Sequence, residues 1–225
     1  MKKIATDVST FTGLIAGRVY ALHDADGITL VDASIGNAGP KILAQLSEAG
    51  HRPSDVKRIL ITHGHPDHVG SLPFLHEATK AEVWCHTLEK PVIQGEAFIT
   101  RPPSGLRPPN TKVAPTPVHR TLTDGEVLPI LGGLQVVYTP GHAPGHLSFF
   151  QPERRLLIVG DVIFRLFFNR MTLPLAMLTA DMDENKRSIR KLIALKPEIL
   201  MFGHGNPITE NATAQLEAFA QRNGL

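Results

Sequence analysis

Apolar and polar positions along the first third of the chain alternate so as to predict strands and helices in turn. Residues 19–22 and 28–31 are short apolar runs flanking Asp24-Ala25-Asp26-Gly27, a hairpin turn signal. Gly36-Asn37-Ala38-Gly39-Pro40 opens a helix in which Ile42, Leu43 and Leu46 recur at helical spacing and Gly50 closes it. Ser54-Asp55 leads on to Ile59-Leu60-Ile61, which reads as a fully buried strand ending at Thr62-His63. A helix over about 66–79 and a strand over 82–85 follow. From residue 127 the pattern favours strands: 127–131, a Gly132-Gly133 turn, 134–138, then 147–150 and 156–159 around the turn Pro152-Glu153-Arg154-Arg155. Residues 183–195 predict an amphipathic helix, 199–202 a strand and 209–220 a final helix.

The segment at about 96–119 differs in kind. Pro102, Pro103, Pro108, Pro109, Pro115 and Pro117 lie in it without periodicity, so it is expected to be a lid or a binding loop. No internal repeat and no dividing linker appears. One domain over residues 1–225, with two strand-rich halves, is the expectation.

Composition changes this picture mainly by exclusion. With 42% hydrophobic and 20% charged residues, disorder, collagen-like repeats and coiled coil fail as global descriptions. A net charge of +2 without a basic run argues against a nucleic-acid partner. The single cysteine, Cys85, cannot form an internal disulfide. Asp7 interrupts the N-terminal stretch before any signal-like apolar run. The greasiest segment, 162–180, is broken by Arg165, Asn169, Arg170 and Pro174, too broken to span a membrane. A cytoplasmic protein acting on a small molecule, with no membrane partner, is the expectation.

Histidine is what stands out, with 11 in the chain. Thr62-His63-Gly64-His65-Pro66-Asp67-His68 places four metal-competent side chains between a buried strand and a helix. Two imidazoles one residue apart can converge on one ion when the loop turns, and Asp67 and His68 can face a second. Thr139-Pro140-Gly141-His142, Val159-Gly160-Asp161 and Phe202-Gly203-His204-Gly205 each follow an apolar strand and offer another imidazole, a carboxylate and a last imidazole. Residues at strand ends along one sheet edge can share a cleft.

These motifs resemble the metallo-β-lactamase fold superfamily, whose signature is HxHxDH followed by separated His, Asp and His ligands, here from the strand at 28–32 through His204. The resemblance implies an α/β fold, a four-layer αββα sandwich. It implies that His63, His65 and His142 bind one metal and Asp67, His68 and His204 a second, with Asp161 bridging. Two zinc ions per chain suit this imidazole and carboxylate set, iron and manganese being the alternatives. Such a pair can hold a hydroxide at neutral pH as nucleophile. Asp67 is then placed to orient it and to pass its proton to the leaving group. Asp32 and His146 match positions that support the metal loops rather than bind metal.

Candidate substrate contacts are Phe164 and Arg165, which open an apolar run after Asp161, and His119 at the end of the Pro-rich segment. The apolar run reads first as core or a homodimer contact, and as its alternative a wall for substrate. Within the superfamily, a bridging Asp161 separates the chain from true β-lactamases. Its end about 20 residues after His204 leaves out the helical region of hydroxyacylglutathione hydrolases. Phe164 stands where lactonases of this fold carry tyrosine, and His65 stands where flavodiiron proteins carry Glu. The expected activity is dinuclear metal-dependent hydrolysis of an ester, thioester or lactone, in the lactonase-like and glyoxalase-like branch. The alternatives are a mononuclear iron sulfur dioxygenase, or β-lactamase or phosphodiesterase activity on the same fold.

Overall fold

In a computed structural model of the chain, which describes residues 1–100, 112–166 and 168–225, the apolar runs pair into two main sheets. Each sheet belongs to one of two units. Of the described residues, the first holds Met1–Ile99 and 112–122, and the second holds Thr100 and those of Thr123–Leu225. Among the described residues no helix is long and apolar enough to cross a membrane.

The first unit carries seven strands in chain order: β1 (Lys2–Ala5), β2 (Val8–Thr10), β3 (Tyr20–Asp24), β4 (Gly27–Val31), β5 (Val56–Leu60), β6 (Glu82–His86) and β7 (Arg120–Leu122). β1 to β4 are antiparallel, with tight turns from β1 to β2 and from β3 to β4 and a longer loop from β2 to β3, whereas β4 to β7 run parallel. Parallel neighbours need crossover segments, and helices supply them. These are α1 (Gly39–Glu48), α2 (Pro66–Val69), α3 (Leu72–Thr79) and α4 (Lys90–Ile93). Ile42 and Leu46 of α1 and Leu72 and Leu75 of α3 are buried in one cluster with Leu30, Ile59 and Val83 from the sheet.

The second unit has a five-stranded sheet of β8 (Val127–Leu128), β9 (Leu134–Tyr138), β10 (Leu147–Gln151), β11 (Leu156–Gly160) and β14 (Ile199–Phe202), in the order β14-β11-β10-β9-β8. All five residues of β11 are buried, as expected of a strand with neighbours on both sides. A separate hairpin, β12 (Phe164–Leu166) and β13 (Arg170–Thr172), follows β11. Helix α5 (Met182–Ile193) is capped by Asp181, whose carboxylate accepts from the Glu184 N–H at 2.8 Å, and it carries acids in its first turn and bases in its last. Ile189 and Leu192 of α5, with Leu216 and Phe219 of α6 (Ala212–Arg222), are buried against Leu157, Val159, Leu200 and Phe202.

Three elements depart from the sequence expectation for local reasons. The helix expected over 66–79 divides into α2 and α3. Pro73 has no N–H for the Val69 carbonyl, and the Ser71 hydroxyl turns aside to the Ile35 carbonyl. That hydroxyl also accepts from the Ala38 and Gly39 N–H groups at 3.0 and 2.9 Å, so it caps α1, which has no side-chain cap of its own. The strand expected over 127–131 stops at Leu128, because Pro129 lacks a donor and Leu131 turns to φ 51°. The last helix begins at Ala212 rather than 209, after Asn211 takes a left-handed conformation.

Residues 101–111 of the Pro-rich segment lie outside the described residues. The part that follows returns to the first unit: Val113 and Thr116 are buried, the Thr116 N–H donates to the Ile93 carbonyl, and the chain enters β7.

Candidate metal centre

In the first unit the chemistry sits in the loop that leaves the C-terminal end of β5. His63, His65 and His68 crowd together, with ring centroids 4.5 Å apart for His63 and His65 and 4.2 Å for His63 and His68. The Asp67 carboxylate lies 3.9 Å from His68 Nε2. Three imidazoles this close repel one another as cations but can share a cation as neutral ligands.

One carboxylate orders them. Asp32, at the end of β4, accepts from the Thr62 N–H at 2.8 Å, from the Thr62 hydroxyl at 2.8 Å and from His68 Nδ1 at 2.7 Å. With its only hydrogen given to Asp32, the Thr62 hydroxyl accepts from His63 Nδ1–H at 3.0 Å. Both rings therefore carry their proton on Nδ1, which leaves Nε2 as the nitrogen that could hold a metal. The shape of the loop is set from two further sides. The Gly64 N–H donates to the buried Glu89 carboxylate at 2.8 Å. Gly17, at φ 65°, lies so close to the Asp67 carbonyl that a Cβ there would stand 1.6 Å from it. Neither Glu89 nor Gly17 was a candidate from the sequence, since both lie far along the chain from the motif. Glu89 also faces Cys85, whose thiol is pushed up to about 12 by burial and by that charge.

The second unit assembles its donors differently. Asp161, just past β11, sets one carboxylate oxygen 3.4 Å from His142 Nε2 and 3.2 Å from His204 Nε2. The Thr179 hydroxyl donates to the Leu175 carbonyl at 2.9 Å and so accepts from His142 Nδ1–H at 3.3 Å. This turns His142 Nε2 toward the carboxylate oxygen. Two acceptors at that distance are stable only with a positive charge between them, a proton or a metal ion, so the donor set fits a cation.

His146 does something else. Its Nε2 accepts from the Asp161 backbone N–H at 3.0 Å, and Nδ1 lies 2.9 Å from the Thr139 hydroxyl. That hydroxyl bonds the Ser148 hydroxyl at 3.0 Å, which donates to the Val159 carbonyl. Both ring nitrogens thus hold the backbone around Asp161 in place. Nearby hydroxyls, Thr62 next to His63 and Thr139 seven residues before His146, are the signal that could have marked these supports.

The candidate substrate contacts part company. The Phe164 ring lies 4.8 Å from that of His204 and 6.0 Å from that of His142, so it walls this donor set. Arg165 was expected to contact substrate. Instead its Nε and Nη1 are donated to the backbone carbonyls of Asn169, Asn206 and Pro207. His119 stands at the opposite end of its sheet from His63, because it precedes β7, which pairs in parallel with β6. Its Nδ1 accepts from the Val83 N–H there at 3.1 Å, and its ring lies 5.1 Å from His76.

Known proteins resemble the chain along most of its length. The sequence model of the metallo-beta-lactamase superfamily matches residues 12–204. A probable metallo-hydrolase of Bacillus subtilis is 29% identical over 214 residues, 86% of this chain and 81% of the relative. A hydroxyacylglutathione hydrolase of Haemophilus influenzae is 31% identical over 160 residues, 69% of this chain and 71% of the relative. Among solved structures, a metallo-beta-lactamase family protein from Thermus thermophilus matches with a TM-score of 0.74 and 26% identity, over 99% of this chain and 81% of that one. A subclass B3 metallo-beta-lactamase of Bradyrhizobium japonicum shares the fold at a TM-score of 0.73 and 21% identity, over 98% and 89%.

Proposed function

From a chain that belongs to the metallo-beta-lactamase superfamily, and is a metal-binding α/β hydrolase of that fold, we propose a dinuclear enzyme that cleaves a small-molecule ester, thioester or lactone. The reading assigns His63, His65 and His142 to one metal and Asp67, His68 and His204 to the other, with Asp161 shared. Zinc suits the imidazole-rich donors, and two such ions supply an activated water and polarise a carbonyl oxygen. The observation that supports two metals over one is the Asp161 oxygen within 3.4 Å of two imidazole nitrogens, the position of a shared carboxylate.

The two aspartates divide the remaining work by exposure. Asp161 is 3% exposed and suits a fixed ligand, whereas Asp67 is 31% exposed and can exchange a proton with bound substrate. Asp67 therefore receives the proton of the attacking water and gives it to the leaving oxygen or sulfur. Phe164 bounds the site with an apolar face and offers no proton, so the leaving group depends on Asp67.

The test is a hydrolysis screen over lactones, thioesters, esters, phosphodiesters and a cephalosporin, with metal analysis of the same samples. Chelation abolishes turnover and zinc restores it, with two zinc per chain in the active protein. Asp161→Ala drops metal content toward one per chain and turnover by orders of magnitude. Turnover by metal-free protein, or a single iron with no hydrolysis, overturns the proposal.

A further inference from the structure

The guanidinium of Arg165 makes no described hydrogen bond to a residue of the donor set, yet Arg165 ties the loop that carries His204 to the β12–β13 hairpin. Its backbone N–H donates to the His204 carbonyl at 2.9 Å, and the two segments continue as a parallel bridge between Arg165 and Gly205. The side chain then passes around the loop. Nη1 donates to the Asn206 and Pro207 carbonyls at 3.0 and 2.8 Å, while Nε donates to the Asn169 carbonyl, across the turn of the β12–β13 hairpin, at 3.0 Å. The Asn206 and Asn169 side chains add a second tie at 3.3 Å. The fit leaves no slack: Gly205 is at φ 104°, and a Cβ there would stand 1.9 Å from the Arg165 carbonyl.

His204 has most need of such a strap. Its side chain is 20% exposed, against 1% for His142 and 3% for Asp161. Thr179 holds the His142 ring and His146 holds the Asp161 backbone, and Arg165 does the same for the backbone of the His204 loop. A ligand imidazole must stay close to its binding geometry, and loop freedom lost on metal binding weakens the site. We infer that Arg165 is a positioning residue, which fixes the His204 loop against the β12–β13 hairpin and thereby sets the affinity of the metal that His204 holds. A planar guanidinium can serve three carbonyls at once from one side chain, which a lysine ammonium on a flexible stem does not reproduce.

This inference rests on the dinuclear reading, and the experiment separates the two. Wild type, Arg165→Lys and Arg165→Ala are equilibrated with buffered zinc, and metal per chain is measured beside circular dichroism. Wild type binds two zinc ions. Both variants keep the first and bind the second about 10–100-fold more weakly. In Arg165→Ala, sub-denaturing guanidinium restores the second metal where equal sodium chloride does not. At limiting zinc, kcat falls while KM for an uncharged ester stays at the wild-type value.

Variants that hold the second metal with wild-type affinity overturn the inference. So does a rise in KM confined to carboxylate-bearing substrates with metal binding intact, which makes Arg165 a substrate contact. If wild type binds a single metal, the dinuclear reading fails, and amide exchange in the metal-free proteins decides the positioning role. Faster exchange over 203–206 in Arg165→Ala than in wild type sustains it, and equal exchange overturns it.

Discussion

The two units reach similar chemistry by opposite routes. In the first, four candidate ligands fall between His63 and His68 on one loop, and a single carboxylate, Asp32, binds both Thr62 and His68. In the second, His142, Asp161 and His204 come from three strand ends, and each has its own prop: Thr179, His146 and Arg165. A local cluster can be ordered by one hub, because its members move together. Donors scattered along the chain must each be anchored to a different neighbour. One hub concentrates the damage of a single substitution, whereas separate props spread it.

Replacing the hub gives the largest effect. In Asp32→Asn the amide nitrogen faces either His68 Nδ1–H or the Thr62 donors, leaving a buried donor unmet. The expected loss is about 1–3 kcal/mol of stability, with metal affinity lowered about 10–100-fold. Urea denaturation and zinc titration measure the two, and a variant within error of wild type on both removes Asp32 as the hub.

A single prop of the second unit should cost less in metal than the hub. His146→Ala strips the partner from the buried Asp161 N–H, at about 1–3 kcal/mol of stability. Zinc binding weakens about tenfold, the lower end for an outer partner of a ligand. His142→Ala, in contrast, removes a proposed ligand and cuts turnover by orders of magnitude. If His146→Ala loses metal while His142→Ala keeps it, the two histidines exchange roles.

The smallest effect lies at the base of the His142 loop. Asp124 accepts from the Tyr138 N–H at 2.8 Å and pairs with Lys191 at 2.9 Å. Partial burial pushes its carboxyl up, but the Lys191 ammonium and the backbone bonds outweigh this and hold it below the usual carboxylate range. A depressed folded-state value means the clasp stabilises above the ordinary pKa of about 3.9 and loses its effect as pH falls through the lower folded value. Asp124→Asn therefore costs about 0.2–1 kcal/mol near neutral pH for so exposed a pair, and the gap to wild type closes in acid. A gap independent of pH assigns the loss to the Tyr138 bond instead of the charge.

The same contrast explains what could be read from the chain alone. The first cluster is adjacent in sequence, so residue types and spacing reveal it without a fold. His142, Asp161 and His204 became legible only through the motif order of the superfamily, each after an apolar run. The strands at 134–138, 156–160 and 199–202 were visible because they are mostly apolar runs, the middle one buried along its whole length. Glu89, Gly17 and the turn of Arg165 back onto its own unit were not. Each depends on a contact between segments distant in sequence, and no local pattern of polarity encodes it. Arg165 shows the hazard: a cation beside an apolar run suggests an anionic ligand, but backbone carbonyls satisfied it first.

The Ser71 hydroxyl links what the chain separates. It closes the amino end of α1 from the junction between α2 and α3, three residues past His68, so α1 cannot complete its first turn until the ligand loop has docked. Opening of that loop must then release the Ala38 and Gly39 amides as well. The two should share one protection free energy against solvent deuterium, although Ser71 lies 32 positions after Gly39. Filling the metal centre would slow exchange in a helix that contributes none of its ligands.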